Sequence, residues 1–556
     1  MCEIKIRLRP NPRAPFAGTA VKKGIRLSEL ANGFREELPY RILAAKVNNQ
    51  IRELNKTVDE PSDVTLLDMR VNAVNLMYQR SLSLLYLKAI RDVFGKVDVF
   101  LGNSLNKGIY TLIRRNDKTS DKEIKAVESR MRELVRSDIP FVKEIVDRDT
   151  ALAHMREDGN EGKIRLLENA ADFEWVAFYS LDGFRNYFYG QMLPSTGYVE
   201  HFELRAYRNG VLLRFPHPSK PNDIPAYSDE KKLYEAFGEA NQWGKLLGIS
   251  MAADLNERVA RDRAVEMIQL SEALHEKSIA FIADRIAKEK KHLILIAGPS
   301  SSGKTTFARR LCIQLKVIGR EPLYLGTDDY FIDRDDCSLN ELGEKNFEDI
   351  SALDLKLFND HMNALLRGET VDVPRYDFIE GKKHFGERLT RGKPGQPIVI
   401  EGIHGLNKEL TGGIDDNEKF RIYISPLTAL NIDEHNRIPT TDVRLLRRII
   451  RDSRTRGNNA KKTIATWPSV RAGEDKNIFP FSGEADVLFN SAHIYELAVL
   501  KKYVMPLLGV ITENEEEYSE AYRLKRFLQF FKVIEEDDAI VNNSILREFI
   551  GGSIFE

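Results

Sequence analysis

Gly298, Gly303, Lys304 and Thr305 stand in the spacing G-x4-G-K-T, inside the stretch LILIAGPSSSGKTTFARRL from Leu293 to Leu311. Residue types in this order bind phosphate. Glycine lets backbone N–H groups turn inward around phosphate oxygens. A helix N-terminus adds the positive end of its dipole. Lys304 brings a full charge to the outer phosphates, and the Thr305 hydroxyl can ligate Mg2+. Ser300, Ser301, Ser302 and Thr306 complete the expected cradle. The pattern requires a strand before it and a helix after it. HLILIA is an apolar run of buried-strand type, and TTFARRLCIQL has helical spacing. A bare Ser/Gly turn is the competing reading, and the register of strand, loop and helix disfavours it. The loop alone does not name a reaction, because ATPases, GTPases and small-molecule kinases share it.

Carboxylates and arginines downstream narrow the chemistry. EPLYLGTDDYF reads as a strand that ends in Asp328 and Asp329. Ligands of open α/β sheets gather at the carboxyl ends of strands, so both aspartates are expected near the phosphate loop. A carboxylate there can accept the proton of an attacking hydroxyl or help hold Mg2+. The alternative is a helix-capping aspartate. QPIVIEGIHGL ends another buried strand on Glu401, either an anchor for Mg2+ or a turn glutamate. RLLRRIIRDSRTRGNN carries arginines at 444, 447, 448, 451, 454 and 456. A basic helix ending in a glycine-containing loop suits a lid that closes on a triphosphate. A solvated basic face or a nucleic-acid patch is the other reading.

Elements that must position these residues are legible around them. From His292 onward strands and helices alternate, as in a parallel α/β sheet. Residues 251–290 contain no proline or glycine and read as one strong helical stretch. Residues 1–62 form a small β-rich unit, with a helix at RLSELANGF and a strand–turn–strand at ILAAKVNNQIREL, turning at Asn48-Asn49. Between 63 and 230 the pattern is mixed. AVNLMYQRSLSLLYLKAIRDVF and DKEIKAVESRMRELVRSD are amphipathic helices, and VEHFELRAYRNGVLLRF is a hairpin with its turn at Asn209-Gly210.

The bulk composition bounds the class. A chain of 556 residues, 42% of them hydrophobic, divides into two to four packed domains. Lysine plus arginine (83) nearly cancels aspartate plus glutamate (84), so net charge points to neither nucleic acid nor membrane. Three cysteines, at 2, 312 and 337, have no CxxC spacing, which argues against a disulfide framework and a cysteine-rich zinc site. The N-terminus lacks the apolar core of a signal peptide, and no apolar run approaches the roughly 18 residues of a membrane helix. The expectation is a cytoplasmic protein with no membrane partner.

From about His292 to Leu508 the chain resembles the uridine kinase and phosphoribulokinase family. GPSSSGKTT, TDDYF, VDVPRYDF with IVIEGIHGL, and RRIIRDSRTRG match its blocks in order. The resemblance implies a P-loop NTPase domain with a parallel sheet, with ATP and Mg2+ as cofactors. It makes Asp328 the catalytic base, and places Tyr376 and Arg448 on the substrate. It places Glu401 on Mg2+, and Arg451 and Arg456 over the phosphates. The family's substrate aspartate falls on Glu348, its histidine after YDF on His384, and its arginine after RG on Asn458. These departures bear on the substrate rather than on phosphoryl transfer. The implied activity is phosphorylation of a nucleoside 5′-hydroxyl, uridine or cytidine first. Another hydroxylated substrate and an RNA-binding nucleotide sensor are the alternatives.

The first 230 residues resemble the β-grasp TGS domain and the α+β editing domain of threonyl-tRNA synthetases. The family's metal ligands there fall on Arg80, Leu84, Phe188 and Met192, none of which can hold zinc as the family does. This gives an expected order of 1–62 TGS-like, 63–230 editing-like, 231–290 helical connector and 291–556 kinase-like. Recruitment of this module for tRNA, nucleotide sensing or dimerisation is left open by the sequence, and a homo-oligomer is expected.

Overall fold

The computed structural model describes residues 3–169, 173–339 and 345–555; Cys2, at the start of the expected first strand, lies outside them. The first unit is a five-stranded sheet in the order Ala17–Lys22, Glu3–Arg9, Asp63–Leu67, Ala44–Val47, Gln50–Glu53. Its middle strand, Asp63–Leu67, runs parallel to Glu3–Arg9 and antiparallel to Ala44–Val47. The expected boundary at 62 is therefore corrected, because it would remove the strand around which the sheet is built. Val64, Thr65, Leu66 and Leu67 are all buried, so the alternation that marks a half-exposed strand is missing. Asn48 and Asn49 both have positive φ, 46° and 63°, as a two-residue hairpin of the primed type needs.

In the second unit, helix Asn72–Phe94 packs on a four-stranded antiparallel sheet in the order Glu203–Tyr207, Gly210–Arg214, Gly108–Arg114, Asp98–Leu105. Helix Asp121–Arg136 starts on a capping box between Ser120 and Glu123. Tyr207 pairs with Gly210, so the hairpin turns at Arg208-Asn209, one residue earlier than expected. Leu84, Phe188 and Met192 are buried together in the unit's apolar core.

The third sheet is wholly parallel. Its strands are β1 (Leu293–Ala297), β2 (Leu323–Gly326), β3 (Ile398–Glu401), β4 (Lys419–Ser425) and β5 (Val487–Asn490), in the order β2-β3-β1-β4-β5. Every side chain of β1 is buried, as expected for a central strand covered on both faces. The stretch 251–290 is not one helix. It divides into Ala252–Ala260 and α1 (Ala264–Lys288), with Asp262 at φ 56° in the break. Nor does α1 act as a connector. Its Ile279, Ile282, Ala283 and Ile286 recur on one face and are buried with Ile294, Ile296, Phe307 and Leu311. At about 1.5–3 kcal/mol for each fully buried large aliphatic side chain, α1 is an integral layer of the parallel-sheet domain. Three more helices frame the site: α2 (Lys304–Val317), α3 (Thr440–Thr455) and α4 (Ala460–Asn477).

Candidate active site

The phosphate loop joins β1 to α2, and its glycines are required by space and by conformation. A Cβ on Gly298 would stand 2.1 Å from the Ile424 carbonyl oxygen of β4. Gly303, at φ 85°, would press a Cβ against Ile545 at 2.4 Å. Lys304 Nζ donates to the carbonyls of Gly298 (3.0 Å) and Pro299 (3.2 Å), lying back along the loop. Desolvation lowers its pKa, while Glu401, Glu548 and Asp328 draw it back up. Ser301 and Ser302 have buried hydroxyls without hydrogen-bond partners among the described residues. Thr306 donates its backbone N–H (3.2 Å) and its hydroxyl (2.7 Å) to Glu548, a contact with no sequence signal because Glu548 lies near the C-terminus.

Two adjacent aspartates separate at the end of β2. Asp329 accepts from both terminal nitrogens of Arg388, at 2.9 Å each. Asp328 instead faces Lys304 and Arg456. Its side chain is open to solvent on one side, while neighbouring atoms desolvate the carboxyl and raise its pKa, Lys304 lowers it, and Asp329 raises it again. At the end of β3, Glu401 accepts from Thr305 Oγ1 (2.9 Å) and from the Tyr324 hydroxyl (2.7 Å). Burial raises the Glu401 carboxyl. The Thr305 hydroxyl and Glu401 carboxylate form a hard-oxygen donor set, which fits Mg2+.

The arginine-rich helix is packed into the core, unlike either a free lid or a solvated basic face. Val443, Leu445, Leu446, Ile449 and Ile450 of α3 lie in the largest core cluster. Arg444 and Arg447 are 1% and 0% exposed. Arg444 pairs with Glu474 of α4 at 2.8 Å, and Arg447 with Glu496. Glu474 also accepts from the Ser300 backbone N–H at 2.9 Å, and Arg444 donates to the Ser300 carbonyl at 3.1 Å. This buried pair therefore holds the phosphate loop. Arg454 donates to the Phe549 carbonyl at 2.9 Å. The remaining three arginines gather on one buried carboxylate. Asp452 lies 3.0 Å from Arg451, 3.2 Å from Arg448 and 3.8 Å from Arg456. Arg448 also donates to Ser300 Oγ at 2.6 Å.

The remaining expected positions divide. Glu348 lies within electrostatic reach of Arg448, Lys304 and Asp328; burial, then Glu474, raises its carboxyl and Arg448 lowers it. Tyr376 is buried between Phe331 (5.5 Å between ring centres) and Phe378 (5.0 Å), and its hydroxyl has no hydrogen-bond partner among the described residues. His384 is not brought into this group. It lies on the hairpin pairing Arg375–Asp377 with Lys382–His384, bonded to Glu380 at 2.9 Å. No hydrogen bond or ion pair among the described residues joins it to Asp328 or Glu348. His404, just beyond Glu401, was not singled out by the sequence reading. It is buried, both ring nitrogens lack hydrogen-bond partners among the described residues, and burial lowers its pKa to about 4.

A parallel sheet in this order, with a phosphate loop after β1 and carboxylates after β2 and β3, meets a matching sequence profile. The profile of the Phosphoribulokinase / Uridine kinase family covers residues 293–498. A uridine kinase of Halobacterium salinarum is 30% identical over 194 residues, which are 35% of this chain and 77% of that enzyme. The chain belongs to the phosphoribulokinase and uridine kinase family. A uridine kinase of Deinococcus deserti is 28% identical over 209 residues, 37% of this chain and 91% of that enzyme. A threonine–tRNA ligase of Caldanaerobacter subterraneus is 24% identical over 199 residues, 36% of this chain. The chain spans 30% of that ligase's length. A part similar to threonine–tRNA ligases thus precedes the kinase-family domain.

Proposed function

We propose that the protein transfers the γ-phosphoryl group of ATP to the 5′-hydroxyl of a nucleoside, with uridine and cytidine as the first substrates to test. The observation that carries this reading is the division of labour after β2. Arg388 occupies Asp329, so Asp328 is the carboxylate turned toward Lys304 and Arg456. In this mechanism Asp328 accepts the hydroxyl proton as the oxygen attacks the γ-phosphorus. The bond to the β–γ bridging oxygen breaks, and ADP leaves. Lys304 and the loop N–H groups hold the phosphates. Arg448, Arg451 and Arg456, gathered by Asp452, offset charge on the transferring group. Thr305 and Glu401 would hold Mg2+, which when bound supplies charge neutralisation at the phosphates.

The test is ATP consumption with Mg2+ against a panel of nucleosides and ribulose 5-phosphate, with the product identified by mass. A nucleoside 5′-monophosphate that disappears in Lys304→Ala supports the reading. Intact ATP binding with no product from any nucleoside overturns it.

Two variants test the arrangement. Asp452 is a positioning residue, so Asp452→Asn should lower kcat by roughly tenfold to a hundredfold and leave the nucleoside KM within about threefold. An unchanged kcat would remove Asp452 from that role. His384 forms a half-exposed surface pair, worth about 0–1 kcal/mol. His384→Ala should accordingly keep kcat/KM within about threefold of the parent, and a large rise in nucleoside KM would return the residue to the substrate site.

A further inference from the structure

A cavity of about 900 Å3 lies between the synthetase-like second unit and the parallel-sheet domain. Helix Asn72–Phe94 lines one side, and the segment that leads into α3 lines another. Arg80, Arg437 and Asn75 all line it. Arg80 donates to the Gln191 carbonyl at 3.2 Å and stands 5.4 Å from the Tyr189 ring centre. Arg437 has a buried Nε with no hydrogen-bond partner among the described residues. Neither arginine has an ion-pair partner among the described residues. The carboxylate that acts on both, Asp442, is itself held by Arg523 at 2.6 and 2.9 Å. Asn75 Oδ1 already accepts from Gln79 at 2.6 Å, while its buried Nδ2 has no partner among the described residues.

The unsatisfied groups of Arg437 and Asn75 are donors, and Arg80, which lines the same cavity, is a cation that can also only donate. Both arginines are half-buried and open on the cavity; cations so placed without an ion-pair partner attract an anion, and planar guanidinium forks match carboxylate and phosphate oxygens. A cavity of this size accommodates a small organic molecule rather than a single ion. We propose that it binds a small molecule whose oxyanion, a phosphate monoester or a carboxylate, sits between Arg80 and Arg437 and accepts from Asn75. This site is separate from the phosphate loop and does not depend on which reaction the kinase-family domain performs.

The cavity also reaches Arg444, which pairs with Glu474 and donates to the Ser300 carbonyl. Arg437 precedes the start of α3 by three residues. Arg444 thus touches both the cavity and the loop that holds the phosphates.

The test is calorimetric binding to the full chain carrying Lys304→Ala, which weakens the phosphate-loop site. Inorganic phosphate and AMP form the phosphate arm, and succinate the carboxylate arm. At least one probe should bind, and Arg437→Met or Asn75→Asp added to that background should weaken it at least about tenfold. The arm that binds identifies the oxyanion. Each cavity variant made with Lys304 intact should still bind ATP, which shows that the domain is folded. Asn75→Asp keeps the side-chain volume and serves if Arg437→Met unfolds. No binding by any probe at millimolar concentration, or binding that neither variant changes, overturns the proposal. Neither result touches the kinase reading, because no turnover is measured.

Discussion

Replacing Asp328 by asparagine is expected to lower kcat by roughly 10²–10⁴-fold, the range that a positioned general base contributes. ATP affinity should stay close to that of the parent, because the contacts that shape the loop run through Lys304, Arg444, Arg448 and Glu474. The same carboxylate sets the acid limb of the pH profile. The base must be ionised, and desolvation holds its pKa above the ordinary carboxylate value. Activity should therefore be full at higher pH and fall as pH drops through that raised pKa, at a higher pH than an ordinary aspartate would give. In Asp328→Asn the limb should vanish along with the turnover. Steady-state kinetics across pH, with ATP binding measured separately, checks both parts. Near-normal turnover in Asp328→Asn would refute the assignment.

Glu474→Gln should produce the largest loss of stability among the substitutions considered. It removes the counter-charge from Arg444 while both side chains are 1% exposed, leaving a buried cation unpaired. Breaking a buried pair from one side costs about 3–5 kcal/mol. Replacing both partners by apolar residues, Arg444→Met with Glu474→Leu, should recover most of that loss. Unfolding of the parallel-sheet domain, followed by denaturant titration, measures it; a loss below about 1 kcal/mol would contradict the pairing. Burial alone would raise the Glu474 carboxyl, but Arg444 and then Arg471 outweigh it, and its pKa lies below the usual value. A depressed folded-state pKa adds stability that is present above the unfolded value, about 4.3, and is lost as pH falls through the folded value. The parent should therefore lose this increment only in acid, and Glu474→Gln should lack it throughout. Glu474 also accepts the Ser300 N–H, so the variant should raise the KM for ATP as well.

The sequence by itself determined the phosphate loop, because its signal is local: a buried strand, glycines at the G-x4-G spacing, and a helix beginning at Lys304. It also placed Asp328 and Glu401 at strand ends, and the parallel sheet brings both toward Lys304. Family membership followed from the order of those blocks. What spacing could not supply was the distant partner of each charge. The six arginines of 444–456 read alike, as a lid or as a solvated face, because nothing nearby shows that Glu474, 30 residues on, and Glu496, 49 residues beyond Arg447, neutralise two of them. Asp328 and Asp329 look equivalent until Arg388, 59 residues away, takes one of them. The same limit explains α1, whose apolar stripe is readable but whose covering sheet is not, and His384, whose motif is legible while its hairpin bonds it to Glu380. Tertiary structure decided these points because the desolvation of a charge depends on what packs against it, and in this chain the packing partners come from elements far apart in sequence.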